Sequence, residues 1–153
     1  MIGEVSVLLP VLNERENLEL LVPELIASLR QVVDRFEVVV IDDSSDDGTA
    51  EFMSDLRQTE PALRYISREG RARSLPDSIF DGVDAASFEF VAWMDADGSM
   101  RPSDLQHLLS ATTEVDMSNT VVVGSRFVPG GGFKGVVEVG DRKSTRLNSS
   151  HLV

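Results

Sequence analysis

The chain has 153 residues, 42% of them apolar, and a formal net charge of −12, which suits one folded domain and argues against disorder and against a nucleic-acid partner. It has no cysteine, so disulfides and thiolate metal sites are excluded. No apolar run is long enough for a bilayer span and no secretory leader pattern opens the chain, which argues against secretion and permits a cytoplasmic location.

The first elements in chain order are two apolar runs separated by a helical pattern. Residues 5–9 and 36–41 read as buried strands. Between them, apolar residues recur at helical spacing over residues 18–32, and Asn13 begins a capping-box pattern ahead of this helix. Pro23 lies inside the pattern and predicts a kink or a restart of the helix.

The same alternation of strands and helices continues along the rest of the chain. Helices are predicted over residues 49–58, 75–86 and 102–113, and strands over residues 63–67, 88–94 and 120–124. Most of the strands are continuous apolar runs, as expected when both faces of a sheet are covered. The sequence therefore predicts an α/β fold with a Rossmann-like, mainly parallel sheet sandwiched by helices. A Gly-rich stretch at residues 129–132 predicts a mobile loop.

The end of the chain differs from the rest. Residues 141–153 show no apolar periodicity and carry a net charge of +2, and residues 141–151 resemble the translation of a common sequencing-library adapter. We therefore expect residues 1–140 to be one incomplete domain, cut short near Gly140, and residues 141–153 to be an artefactual tail.

Polar side chains collect where the predicted strands end. They are Asn13 and Glu14, with the neighbouring Pro10, after the first strand, Asp42 and Asp43 after the second, Asp95 and Asp97 after the fourth, and Ser125 and Arg126 after the fifth. Ligands of such sheets bind beyond the carboxyl ends of the strands. A single acid at a strand end is as well explained by capping a helix or a turn. Several acids at one edge would repel one another unless a cation compensates for their charge.

The acids after the fourth strand have the spacing of a paired ligand. Asp95 and Asp97 are separated by Ala96, so in an extended segment their carboxylates point to the same side. Gly98 leaves room for a close approach of the backbone. Mg²⁺ and Mn²⁺ prefer oxygen ligands, and Mg²⁺ typically takes one or two carboxylates together with substrate phosphates. The pair therefore predicts a divalent-metal site that also binds a phosphate ligand.

Four segments of the chain resemble the family 2 glycosyltransferases in the family's own order: VSVLLPVLNERENL, VVVIDDSSDDGT, VAWMDADGSM and VVVGSRFVPGGG. The subgroup most similar is that of dolichol-phosphate mannosyltransferase and related polyprenyl-phosphate sugar transferases. The resemblance covers residues 4–135. It implies a GT-A fold that is truncated at its C-terminus, because the family continues past PGGG into acceptor-side elements.

The resemblance also implies a role for each matched residue. The base and ribose of a GDP- or UDP-hexose would be held by Pro10, Leu12, Asn13, Glu14 and Asp43, with Asp42 adjacent. Leu12 stands where the family often has an aromatic residue. Asp95 and Asp97 would bind the Mg²⁺ or Mn²⁺ that bridges the diphosphate, with Asp95 bound to the metal or to the ribose. Asp97 and Arg126 would be the catalytic residues, and Arg126 would meet the diphosphate or the lipid phosphate.

The implied reaction is inverting transfer of a hexose, mannose or glucose, to a polyprenyl or dolichyl phosphate at the cytoplasmic face of a membrane. The acceptor phosphate is already anionic, so alignment and metal stabilisation of the leaving diphosphate would carry the reaction. For the truncated chain we expect binding of the donor without turnover.

Two alternatives stay open from the residues alone. A phosphoacceptor receiver-type signalling domain also has paired acids after one strand and an Asp after another. Receivers, however, have the pair after the first strand and need a Lys at the end of the last one. Separately, Arg68, Arg71 and Arg73 in the loop after the third strand are either phosphate contacts or members of a solvated basic loop.

Overall fold

The computed structural model describes residues 2–113 and 121–124, in which strands and helices alternate. The strands are β1 (Ile2–Val11), β2 (Val33–Asp42), β3 (Leu63–Ser67) and β4 (Val91–Trp93). The helices are α1 (Arg15–Val32), α2 (Thr49–Leu56), α3 (Leu75–Ala85) and α4 (Pro102–Thr112). Residues 121–124, predicted to belong to a fifth strand, join no strand of the described part. Arg126, the 129–132 loop and the 141–153 tail lie outside the described residues.

The four strands form one sheet in the order β3-β2-β1-β4, and every neighbouring pair is parallel. This confirms the predicted α/β fold with a parallel sheet. The order also excludes the receiver alternative, because a flavodoxin-like receiver sheet has β1 between β2 and β3. Here the chain leaves β1 toward β2 and later returns to its other side as β4, so the switch point lies between β1 and β4.

Both faces of the sheet are covered because successive side chains of a strand point in opposite directions. Val7 and Leu9 of β1 pack into a large apolar core that includes residues of α1, α2 and α4. Leu8 points to the opposite face and packs with Val39 and Ile41 of β2. Helix α3 lies on this second face. A Cβ at its Gly82 would stand 2.9 Å from Ile41 Cδ1.

Two details of α1 differ from the prediction. The N-cap residue is Glu14 and its side chain makes no capping bond, so the predicted capping box at Asn13 is wrong. The helix also runs through Pro23 without a restart. Proline removes one hydrogen bond of the helix, and the fully buried Val22 and Leu25 on either side hold the two halves in register against the sheet.

The start of β4 is fixed by a buried carboxylate at the edge of the sheet opposite to the strand ends. Glu37 accepts hydrogen bonds from Ser6 Oγ at 2.6 Å, from Arg64 Nη1 at 2.8 Å and from the backbone N–H of Ser87 at 2.5 Å. Burial acts to raise the pKa of Glu37, but the bonds from Arg64, Ser6 and Ser87 outweigh it and hold this pKa below its ordinary value. Since β4 pairs with β1 over only three residues, this anchor determines where the short strand delivers the residues that follow it.

Among the described helices, none combines the length and apolar character that crossing a bilayer requires.

Candidate functional site

A cavity of about 390 Å³ lies beyond the carboxyl ends of β1, β2 and β4. Six of the residues predicted from sequence line it: Pro10, Leu12, Glu14, Asp43, Asp95 and Asp97. Because the β1 and β4 ends flank the switch point of the sheet, the cavity occupies the position where open α/β sheets bind their ligands.

Asp95 and Asp97 follow β4 directly and differ in their surroundings. Asp95 is half-buried, whereas Asp97 is exposed and its Oδ1 accepts a hydrogen bond from the Ser99 backbone N–H at 2.8 Å. Burial, and then the charge of Asp97, raise the pKa of Asp95. Hydrogen bonding to the Ser99 side chain and backbone lowers the pKa of Asp97. Gly98 adopts a φ of 79°, a left-handed conformation that turns the chain beneath the two carboxylates.

The two carboxylates at this strand tip suit a divalent cation whose remaining ligands come from a bound substrate. Within residues 2–113 and 121–124, no three His, Asp or Glu side chains are grouped so as to hold a metal alone. At this strand tip, the described part of the chain offers the carboxylates of Asp95 and Asp97, which suits Mg²⁺ or Mn²⁺ bound partly by substrate phosphates. The repulsion between Asp95 and Asp97 is the interaction that such a cation would relieve.

Asp43 is held at the cavity wall by donors from two elements. Its Oδ1 accepts from Arg68 Nη1, and its Oδ2 accepts from the Ser74 backbone N–H at 2.6 Å. Arg68 is only 2% exposed, and its Nε donates to Asp81 Oδ2 at 2.7 Å. The alternative of a solvated basic loop is therefore wrong for Arg68, and this residue is not among those that line the cavity.

The other two arginines of this loop, Arg71 and Arg73, lie in different surroundings. Arg71 Nη1 donates to Asp81 Oδ2 at 2.5 Å on the protein surface. Arg73 lines the cavity, and its Nη2 donates to the Ser44 carbonyl at 3.0 Å. Of the three basic residues singled out from sequence, Arg73 is therefore the one that faces the cavity.

Asp42 is not among the residues that line the cavity, and its predicted role in substrate binding stays a prediction. It is still part of β2, and its side chain lies on the face that carries Val40. Its Oδ2 accepts from Tyr65 Oη at 2.7 Å and its Oδ1 from the Ser45 backbone N–H at 2.8 Å. Burial and the bond to Asp42 raise the pKa of Tyr65. Asp42 thus joins β2 to β3 and to the loop before α2.

Asn13 also lies outside the cavity lining and connects two loops. It has a left-handed φ of 57°, its backbone N–H donates to Ser45 Oγ at 2.8 Å, and its Oδ1 accepts from the Asp46 backbone N–H at 2.8 Å. Asp47 adds to the connection, because its Oδ2 accepts from the Arg15 backbone N–H at 2.9 Å. These bonds hold the loops after β1 and β2 together.

Sequence reasoning missed the contribution of the start of α3. Ser74, Leu75 and Ser78 line the cavity, and the Ser74 side chain caps the helix by accepting from the Asp77 backbone N–H. A signal existed in the sequence, since a helix start after a parallel strand lies at the same edge as the strand ends.

Together, fold and cavity define an α/β protein with an acidic cavity at the switch point of a parallel sheet. Residues 6–146 match the model of glycosyl transferase family 2. The chain therefore belongs to glycosyl transferase family 2.

Individual relatives agree with this assignment. The chain is 34% identical over 128 residues to the polyprenol monophosphomannose synthase of Mycolicibacterium smegmatis, covering 82% of the chain and 46% of that relative. It is 33% identical over 128 residues to the dolichol-phosphate mannosyltransferase of Pyrococcus furiosus, covering 84% of the chain and 34% of the relative. The chain thus spans half or less of the length of these two relatives.

A solved structure supports the GT-A fold. A mannosyltransferase from Pyrobaculum calidifontis, in complex with GDP-Man and Mn²⁺, superposes with a TM-score of 0.63 at 25% identity. The superposition covers 77% of this chain and 34% of that one. The fold and the family expected from the sequence are confirmed.

Proposed function

We propose that the chain is the donor-binding part of a glycosyltransferase that transfers a hexose from a GDP- or UDP-hexose to a polyprenyl phosphate, with inversion and with the help of a divalent metal. The observation that carries the proposal is the grouping of Asp95 and Asp97 with Glu14 and Asp43 around one cavity at the switch point. The names of the two relatives support the mannosyl group and the polyprenyl acceptor. The GDP-Man and Mn²⁺ bound by the Pyrobaculum enzyme support the donor and the metal.

Each part of the cavity has a chemical task in this proposal. Asp95 and Asp97 would hold the Mg²⁺ or Mn²⁺, which when bound stabilises charge on the leaving diphosphate. Glu14 and Asp43 accept hydrogen bonds from N–H or O–H groups of the base and ribose. Glu14 is itself oriented by Asn17, whose Nδ2 donates to Glu14 Oε2 at 2.6 Å. Pro10 and Leu12 supply the apolar side of the cavity.

Arg126, proposed to be catalytic with Asp97, would meet the diphosphate or the acceptor phosphate, because a guanidinium pairs well with phosphate oxygens. A polyprenyl-phosphate acceptor would bring the protein to the cytoplasmic face of a membrane. We propose that the 153-residue chain binds the donor without turning it over.

Calorimetric titration of the 153-residue chain with GDP and UDP, with and without Mn²⁺, tests the metal site. Binding should require Mn²⁺, and Asp97→Ala should weaken it by roughly tenfold or more, because one of two protein ligands is lost. Asp84→Ala, which removes an exposed acid of α3, is the matched control and should leave binding unchanged. Metal-independent binding of equal strength in wild type and Asp97→Ala would refute the metal role of Asp97.

A further inference from the structure

We infer that Arg68 is a positioning residue of the donor site, which fixes Asp43 as an acceptor for an N–H or O–H group of the nucleotide. The inference rests on the proposed function. It begins with the burial of Arg68, whose side chain is 2% exposed, and of Asp43, whose side chain is 9% exposed. Buried charges are retained when they are paired and hydrogen-bonded, and this pair satisfies both conditions.

The guanidinium joins Asp43 to the start of α3. Its Nε donates to Asp81 Oδ2 at 2.7 Å, and its Nη1 contacts both Asp43 Oδ1 and Ser78 Oγ, the latter at 3.2 Å. Asp43 is bound to the same helix start by the Ser74 backbone N–H. Arg68 thereby fixes the distance between the end of β2 and the α3 residues that line the cavity.

The bonds to Asp43 determine what it can still recognise. Each carboxylate oxygen has two acceptor sites, and one on each oxygen is already used, by Arg68 on Oδ1 and by Ser74 on Oδ2. The remaining sites accept only from a donor, so a phosphate or keto oxygen is repelled. Asp43 therefore suits a ribose hydroxyl or a base N–H, held in one orientation.

Lysine cannot replace arginine in this position. The guanidinium is a planar fork that reaches Asp43 and Asp81 at once, whereas an ammonium group is a single point of charge on a flexible stem. We expect Arg68→Lys to keep the charge but release Asp43. Arg71→Lys is the matched control, because Arg71 also pairs with Asp81 but is exposed and outside the cavity.

The first measurement needs no nucleotide. Hydrogen exchange of the Ser74 amide reports directly on its bond to Asp43 Oδ2. In chains shown to be folded by circular dichroism, Arg68→Lys should speed this exchange by roughly tenfold or more, the change expected when a protecting hydrogen bond opens. Arg71→Lys should leave it as in wild type. Unchanged exchange in folded Arg68→Lys would overturn the inference.

The second measurement is the affinity for GDP and UDP in the presence of Mn²⁺. Arg68→Lys should weaken binding by roughly tenfold, and it should add less than about twofold when Asp43 is already changed to Asn, because coupled residues are not additive. A full additional loss in the Asp43→Asn background would show that Arg68 acts independently of Asp43, against the inference. If wild type binds neither nucleotide, the proposed function fails, and the exchange result alone decides whether Arg68 fixes Asp43.

Discussion

Asp95 and Asp97 show how two neighbouring carboxylates acquire different properties from their surroundings. They are separated by one residue, yet the pKa of Asp95 is raised by burial and by the charge of Asp97, while bonds to Ser99 lower the pKa of Asp97. In the absence of a cation, we therefore expect the charged form of the half-buried Asp95 to cost stability at neutral pH. Functional sites commonly carry such a cost in stability.

Asp95→Asn should therefore stabilise the metal-free chain at pH 7, with a rise in Tm on the order of 2 °C. Because the pKa of Asp95 is raised in the folded state, the folded chain binds this proton more tightly than the unfolded chain does. The stability that protonated Asp95 contributes is fully present below its ordinary pKa of 3.8. It is lost as the pH rises through the raised pKa of the folded state. Thermal unfolding at pH 7 and at about pH 3 checks this. The difference in Tm between Asp95→Asn and wild type should vanish at the lower pH.

Asp84→Asn is the control for that substitution, because Asp84 is exposed on α3, and its Tm should match wild type at both pH values. A lower Tm for Asp95→Asn at pH 7 would contradict the expected repulsion between Asp95 and Asp97.

The sequence was sufficient to find these two residues but not to separate Asp42 from Asp43. The first pair was predictable because alternate residues of an extended segment point to one side. The second pair depends on where β2 ends. Asp42 is still in the strand and shares a face with Val40, whereas Asp43 follows the strand and reaches the cavity. The burial of Arg68 was not predictable either, because its partner Asp81 comes from a different element.

At the scale of elements, the order of strands and helices was predictable and their ends were less so. β3 was predicted with its observed bounds, since a short apolar run between polar turns leaves little choice. β4 is shorter than predicted because it pairs with only three residues of β1. The uninterrupted α1 was missed because burial of its apolar face outweighs the local effect of Pro23.

Gly82 allows α3 to approach the sheet closely, which places Ser74 and Ser78 at the cavity. We expect Gly82→Val to destabilise the chain by about 1–3 kcal/mol, because its Cβ would stand 2.9 Å from Ile41 Cδ1 and 3.0 Å from Leu8 Cδ1. Urea unfolding measures this loss. The substitution should also weaken GDP binding, because a shift of Ile41, Leu8 or α3 disturbs the contact that places Ser74 and Ser78 at the cavity.

Gly3→Val is the matched control for Gly82→Val, because a Cβ at Gly3 meets no atom within 4 Å. Its free energy of unfolding should be equal to or above that of wild type. Equal stabilities of the two variants would mean that α3 does not need a glycine at its contact with the sheet.

At the scale of the whole molecule, we propose that residues 1–140 belong to the domain and that residues 141–153 are a tail that does not. The family match extends to residue 146, into the proposed tail. We expect deletion of residues 141–153 to leave Tm and the Mn²⁺-dependent binding of GDP unchanged, because that segment has no apolar pattern with which to join a core. Thermal unfolding and calorimetry of the shortened chain provide the measurement. A Tm lower by several degrees would assign the segment to the domain.

The charges around the cavity predict the order in which a divalent metal and a nucleotide would bind. Its lining includes four carboxylates, and Arg73 is the cation among the described lining residues. Arg68 balances Asp43 from behind, which leaves Glu14, Asp95 and Asp97 facing an incoming ligand. A metal-free diphosphate is therefore repelled by the negative charge of the cavity. A diphosphate that arrives together with its metal, or after the metal has bound, does not meet this repulsion. Under the proposed function, we expect nucleotide binding to depend on the concentration of free divalent metal, and added salt should speed the encounter with metal-free nucleotide by screening the repulsion.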